Sequence, residues 1–374
     1  MKFSFSPEQD AFRSNLRRFL AERSPVKEVR RLMETDVGWD REGWRRINGE
    51  LGLTALRIPE EYGGHGFGFG EQAIVLEEMG RVLLCAPYFS SAVLAAGVIL
   101  HAGTAAQKTA LLPGIASGEV LATLASVEDG GGWEAEATAL TATRDGDGWR
   151  LEGHKSFVLD GCSAELIVVL ARTAGGLSLF TVDGAANGLM RRGLVGLDPT
   201  RKLGRLEFRE VAASLLGEEG GAAGPFALTM AEAAVGLANE MVGGADRLRE
   251  DALAYAMMRM QFGRSIAGFQ SMKHKQADML LEVELAKSAA YFAAAALDDG
   301  DVDVMATASL AKVAASEAYV QTAIHAIQIH GGIGFTWDND THLWFKRAKA
   351  SEAMFGDAHF HRERMMRQMI GVSA

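Results

Sequence analysis

All seven prolines lie at or before Pro225, and the chain then runs to residue 374 without another. Proline removes a backbone donor and clashes inside a helix, so its absence over so long a stretch permits long helices. The stretch is rich in Ala, Leu, Met, Glu and Arg, which lose little on entering a helix. Residues 242–278 and 304–330 repeat apolar side chains at three- and four-residue intervals, so each reads as a long amphipathic helix. Residues 223–374 are therefore expected to form a C-terminal helical bundle.

Upstream, the punctuation is denser. Residues 1–118 read as shorter helices, opened by Ser6-Pro7-Glu8-Gln9, an N-cap with proline in the first turn. Pro59, Pro87 and Pro113 divide the later segments, and residues 63–68 form a glycine-rich turn. Residues 119–222 differ. Short β-branched or alternating runs at 139–144, 149–151, 156–159, 166–170 and 177–182 are split by Gly/Asp turns, as in an antiparallel sheet. The expected class is α+β, mainly α: an N-terminal helical domain, a middle β domain and a C-terminal bundle.

Composition removes several functions. Hydrophobic residues make up 48% and charged residues 23%, which excludes a disordered chain. Lys+Arg numbers 38 against 48 Asp+Glu, a net charge of −10, so nucleic acid is not an expected partner. Cys85 and Cys162 have no paired or metal-like spacing, which fits a reducing compartment and no metal. The start shows no signal peptide, and no apolar run approaches the ~18 residues of a spanning helix. The expectation is a cytoplasmic protein with no membrane segment.

Two segments carry chemistry. The first runs from Tyr255 through Arg259, Gln261, Phe262, Gly263 and Arg264 to Gln270 and Asp278. An amphipathic helix interrupted at Gly263 accounts for it; a guanidinium beside that glycine also suits a phosphate. The second is Gln328-Ile-His330-Gly331-Gly332-Ile333-Gly334. A glycine-rich helix end serves as a C-cap, and it also lets a backbone approach a dinucleotide closely. No GxGxxG follows a strand, so a Rossmann site is not expected.

Together these segments resemble the acyl-CoA dehydrogenase family, whose RxxFG and QxxGGxG segments they match, and the resemblance extends over essentially the whole chain. It implies an FAD-dependent flavoenzyme whose C-terminal domain is a four-helix bundle. In such enzymes a carboxylate removes the α-proton of an acyl-CoA thioester, the β-hydride passes to flavin N5, and electrons leave to an electron-transferring flavoprotein. It also implies that Arg259, Gln261, Phe262, Gln328, Gly331 and Gly332, with Gln270, reach the FAD of a neighbouring chain in a tetramer. The family's Trp-Ile-Thr segment against the flavin appears as Phe157-Val158-Leu159, so Phe157 keeps a stacking face and the threonine hydroxyl is lost. Its Thr-Glu-Pro-Gly-x-Gly-Ser segment appears as Val127-Glu128-Asp129-Gly130-Gly131-Gly132-Trp133.

The family's catalytic base is missing from both of its usual places. Phe355 stands where the resemblance puts the glutamate. The alternative position, on the helix leading to Tyr255, is Ala233, with Ala234 and Ala231 in place of the neighbouring arginine and aspartate. A catalytic residue is thus not assigned. Asp357 is a substitute base within reach by sequence. Glu232 and Glu240 lie on the right helix but at the wrong angle. His359 and His361, without a third ligand, read as surface residues, and Met257, Met258 and Met260 as core or interface packing. Three functions follow: a non-catalytic subunit that completes the FAD site of a homologous partner, resembling subunits of heteromeric actinobacterial-type enzymes of lipid or steroid side-chain breakdown; a self-sufficient dehydrogenase using Asp357; or a cofactor-free helical interaction protein.

Overall fold

Ser6 opens the first helix as its sequence predicts. Its hydroxyl accepts from Gln9 N at 3.2 Å while Gln9 Oε1 accepts from Ser6 N at 2.9 Å, with Pro7 in the first turn. The computed structural model describes residues 5–300 and 303–370. The helices are α1 Pro7–Arg23, α2 Val26–Met33, α3 Arg41–Leu51, α4 Phe69–Arg81, α5 Ala96–Ala102, α6 Ala105–Ala116, α7 Ala223–Met258, α8 Gln270–Asp299, α9 Val304–His330, α10 Thr341–Ala353 and α11 Ala358–Met369. A π-helical stretch, Phe89–Ala95, leads into α5. The strands are β1 Ala122–Ala125, β2 Thr141–Asp145, β3 Gly148–Leu159, β4 Leu166–Thr173, β5 Gly176–Asp183, β6 Leu189–Leu194, β7 Leu203–Leu216, β8 Met260–Gln261 and β9 Arg264–Ser265.

The chain divides into two units. The first takes in the described residues of Met1–Arg30, Phe69–Leu84 and Ala234–Ala374. Here α4 and α7 meet backbone to backbone: a Cβ on Gly80 would lie 1.9 Å from Glu240 O, and one on Gly243 1.9 Å from Glu77 O. Buried carboxylates on α4 and α7 are matched by cations from α1, α4 and α8. Arg13 pairs with Glu77 at 2.5 Å, and Asp246 receives Arg81 at 3.0 Å and Lys287 at 2.9 Å. Such pairs do little for stability in total, but removing one partner leaves a buried charge exposed to its full desolvation cost.

The second unit is Arg31–Gly68 and Cys85–Ala233. Its sheet runs β1-β4-β2-β3-β7-β5 with β6 added on β7, and the pairing of β4 with β5 closes the path into a ring. Trp149, Leu151, Val169, Phe180, Leu206 and Phe208 fill the interior, Trp149 meeting Phe180 edge-on at 5.2 Å.

Four expectations change. The sheet is not wholly antiparallel: β1 runs parallel to β4, and Thr141 pairs in parallel with Arg172, because β1 reaches β4 only after the β2–β3 hairpin has intervened. The runs 149–151 and 156–159 join in β3, whose two register shifts break the alternation that had made them look separate. Pro113 lies inside α6, near its end. The helix expected over 242–278 stops at Met258 and resumes at Gln270, because Phe262 at φ +51° and Gly263 at φ +75° turn the chain into the β8–β9 hairpin. Among the described residues no helix is long and apolar enough to cross a membrane.

Candidate functional site

In the first unit, the end of α7, the β8–β9 hairpin, the start of α8 and the end of α9 converge. Tyr255 stacks on His330 with ring centroids 4.3 Å apart, and its hydroxyl donates to His330 O at 3.4 Å. One turn on, Arg259 closes the hairpin: its amide donates to Tyr255 O and its carbonyl accepts from Ile266 N, both at 2.8 Å. Across the helices, Lys275 Nζ donates to Gln328 Oε1 at 2.8 Å. Arg259, Gln261, Phe262, Gln270, Gln328, Gly331 and Gly332 thereby lie on neighbouring elements, and all seven are exposed.

What distinguishes the group is how little of it the chain itself uses. The Arg259 guanidinium and the Gln261 and Gln270 amides have no side-chain hydrogen bond or ion pair among the described residues, and Phe262 is 90% exposed. Gly331 ends α9 at φ 69°, ψ −146°, a conformation that only glycine adopts readily, and a Cβ there or on Gly332 would meet nothing within 4 Å. A fork of donors, two amides, an aromatic face and bare backbone together suit a planar, phosphorylated ligand. Met257, Met258 and Met260 beside them are 64%, 74% and 57% exposed, which removes the core alternative for this cluster.

Phe157 belongs to the other unit. It sits in the β3 irregularity between Lys155 and Val158, at φ +56° and 44% exposed, so a non-glycine residue in the left-handed region presents its ring outward. The strand beneath is fixed by charge. Glu128 Oε1 accepts from Lys155 Nζ and from the amides of Ala139 and Leu140, each at 2.9 Å. Burial pushes the Lys155 ammonium down to about 8, with Glu128 acting in the opposite sense. Asp129, bound by Arg205, Ser156 and His154, is held at about 2.

The positions where the resemblance looks for a base are closed. Phe355 is 7% exposed at φ +59°, followed by Gly356 at φ +100°. His361 Nε2 lies 3.0 Å from Phe355 O and its Nδ1 3.2 Å from Ser309 Oγ, the arrangement of a neutral ring that donates to the carbonyl and accepts from the hydroxyl. Lys312, fully buried, donates to Gly356 O at 3.0 Å and Glu352 O at 3.1 Å. His361 is therefore not a surface residue, and a histidine with an isolated lysine in an apolar helix is the signal that sequence reading passed over. Asp357 is exposed and caps α11, accepting from Phe360 N at 2.8 Å. Ala231, Ala233 and Ala234 are buried methyl groups. Glu232 is held at about 2: burial opposes its charge but Arg57, at 2.6 Å, and His101, at 3.0 Å, outweigh it. Glu240 is buried against Arg347 at 2.6 Å. Among the described residues no three His, Cys, Asp or Glu side chains form a metal-binding group.

Residues 6–119, 123–211 and 226–370 match the N-terminal, middle and C-terminal domain models of acyl-CoA dehydrogenase. The chain belongs to the acyl-CoA dehydrogenase family. Acyl-CoA dehydrogenases are oxidoreductases acting on acyl-CoA and FAD-binding flavoproteins. The chain is 31% identical to acyl-CoA dehydrogenase IpdE2 of Mycobacterium tuberculosis, with 92% of each covered. Among solved structures it resembles a variant of the Tcur3481-Tcur3483 steroid ACAD, at 30% identity, a TM-score of 0.89 and coverage of 97% and 98%. It also resembles the ChsE4-ChsE5 complex of Mycobacterium tuberculosis, at 25% identity and a TM-score of 0.91, over 100% of both chains.

Proposed function

We propose that this acyl-CoA dehydrogenase family chain is the non-catalytic subunit of a heteromeric enzyme. Its Arg259, Gln261, Phe262, Gln270, Gln328, Gly331 and Gly332 complete the FAD site of a homologous partner, in a cytoplasmic tetramer. The observation that carries this reading is the set of exposed donors at Arg259, Gln261 and Gln270 left unmet among the described residues, in a molecule whose Phe355 and Ala233 are buried and base-free. A half-site for another chain's cofactor has that form. The paired names Tcur3481-Tcur3483 and ChsE4-ChsE5 among its structural relatives support a two-chain assembly.

FAD bound there would supply a hydride acceptor for the acyl-CoA β-carbon and a route for electrons to an electron-transferring flavoprotein. This chain's share is binding. Arg259 offers its fork to phosphate oxygens, Gln328 and Gln270 offer amides, and the Gly331-Gly332 backbone admits close approach; Phe157 supplies a stacking face. Proton removal falls to the partner, because Phe355 and Ala233 have no group that accepts a proton and Asp357 is engaged as a cap. A positioned base contributes typically 10²–10⁴-fold.

The test is dye reduction with linear, branched and steroid-derived acyl-CoAs, together with flavin absorbance per chain. The lone chain is expected to retain little FAD and to turn over no substrate. Co-expressed with a base-bearing homologue it is expected to support both. Robust turnover by the isolated chain, stopped by Asp357→Asn, would overturn the reading in favour of a self-sufficient enzyme.

A further inference from the structure

Lys275 stands where α8 meets α9, half-buried in the second turn of α8. Its Nζ donates to Gln328 Oε1 at 2.8 Å and lies 3.4 Å from His325 Nδ1. It forms no ion pair among the described residues. Joining two helices does not require a charge, since a neutral amide or hydroxyl bridges them without desolvating an ammonium. A half-buried cation bonded only to neutral groups keeps its charge for something else.

An ammonium has three donors and no acceptor, so only the oxygen end of the Gln328 amide can face it. Which end of that amide is which therefore follows from its partner. Gln328 is exposed, and its Nε2 makes no hydrogen bond among the described residues. Held in this way, the side chain offers a donor to a ligand and not an acceptor. Gln328 also lies in the last turn of α9, where unpaired carbonyls make the surroundings negative. A phosphate is disfavoured at such a helix end unless a cation reverses the sign, and Lys275 is bonded to the residue that stands there.

We propose that Lys275 is a positioning residue of the FAD half-site, which holds Gln328 donor-outward and adds to Arg259 a second positive charge directed at the ligand's diphosphate. This rests on the half-site reading of Arg259 and Gln328, and it makes charge on the ligand, more than its planar ring, the feature that the α8–α9 end recognises.

The experiment uses the full-length chain co-expressed with a base-bearing homologue, without acyl-CoA. FAD dissociation is measured as free flavin in an ultrafiltrate at low and at high salt. Lys275→Met keeps the apolar stem and removes the charge and the donors; Lys275→Arg keeps both; Arg259→Ala is the reference for the half-site. Lys275→Met is expected to weaken FAD binding at least about tenfold at low salt, the scale of a charge-assisted hydrogen bond. It is also expected to flatten the salt dependence, because one screened attraction is gone. Lys275→Arg should stay within about threefold of the unaltered enzyme, since a guanidinium also donates and carries charge. A side chain that served only to pack two helices would be replaced by Met with the salt dependence intact. If Arg259→Ala loses FAD while Lys275→Met keeps it, the proposal is wrong and the half-site stands. If neither variant loses FAD, both fall. Should the two chains not co-purify, the lone chain is titrated with inorganic pyrophosphate and followed by phosphorus NMR. Line broadening by the unaltered chain that is absent with Lys275→Met supports the proposal; equal broadening, or none with either, overturns it.

Discussion

Phe262 and Phe355 have nearly the same backbone and opposite surroundings. Each is a phenylalanine in the left-handed region, at φ +51° and +59°, and each precedes a glycine of positive φ. Phe262 is 90% exposed on a hairpin where Arg259 and Gln261 have no side-chain hydrogen bond or ion pair among the described residues; Phe355 is 7% exposed in a turn tied down by Lys312 and His361. Local backbone chemistry thus makes a turn in both places and says nothing of its use. The hairpin region leaves its polar groups open, as the proposed half-site requires. The turn at Phe355 keeps its scaffold and holds an unreactive ring.

The contrast can be broken most directly by truncation. Phe355→Ala is expected to cost about 3–5 kcal/mol of stability, since it empties a packed site, while Phe262→Ala changes the isolated chain by less than about 0.5 kcal/mol. Urea unfolding of both variants measures this; equal losses would show that the hairpin is part of the core.

A smaller effect comes from pH. In the folded chain burial holds His361 down at about 4, helped by Lys312 and Arg364 and opposed by the Phe355 carbonyl and Asp357, against an ordinary value of 6.5. The unfolded chain takes up the proton first. The stability due to this group is therefore complete above about 6.5 and is lost as pH falls towards about 4, a contribution of about 3 kcal/mol. In His361→Gln the midpoint should start lower and lose that part of its acid slope. An unchanged slope would mean that the ring is not buried neutral.

For the open region, Arg259→Ala should weaken flavin retention of the assembled enzyme by about 1.5–3 kcal/mol while leaving the unfolding midpoint of the lone chain unaltered. Flavin absorbance after gel filtration reads the first quantity and urea unfolding the second. Smallest of all is Asp357→Asn. Asparagine caps a helix as aspartate does, so stability should move by less than about 0.5 kcal/mol and activity of the assembly not at all. A large loss of turnover would return Asp357 to catalysis.

The helix N-termini, the β-rich middle and the helical last part were legible because capping, turn chemistry and apolar spacing are local. Ser6 and the strand runs are examples. The two segments around Arg259 and Gln328 were legible as motifs. Their nearness was not, because Tyr255 and His330 meet only when α7 and α9 pack. The interruption after Met258 was hidden for a related reason: residues 242–278 carry continuous helical spacing, and two left-handed residues outweigh it.

Sequence by itself therefore determined the secondary-structure classes, the family resemblance and the absence of a carboxylate at positions 233 and 355. Tertiary structure alone decided that His361 is buried and neutral, that Asp357 is occupied as a cap, and that Glu232 and Glu240 are spent on Arg57 and Arg347. The physical reason is that the charge state and availability of a side chain depend on desolvation and on partners distant in sequence, neither of which is a property of its neighbours along the chain.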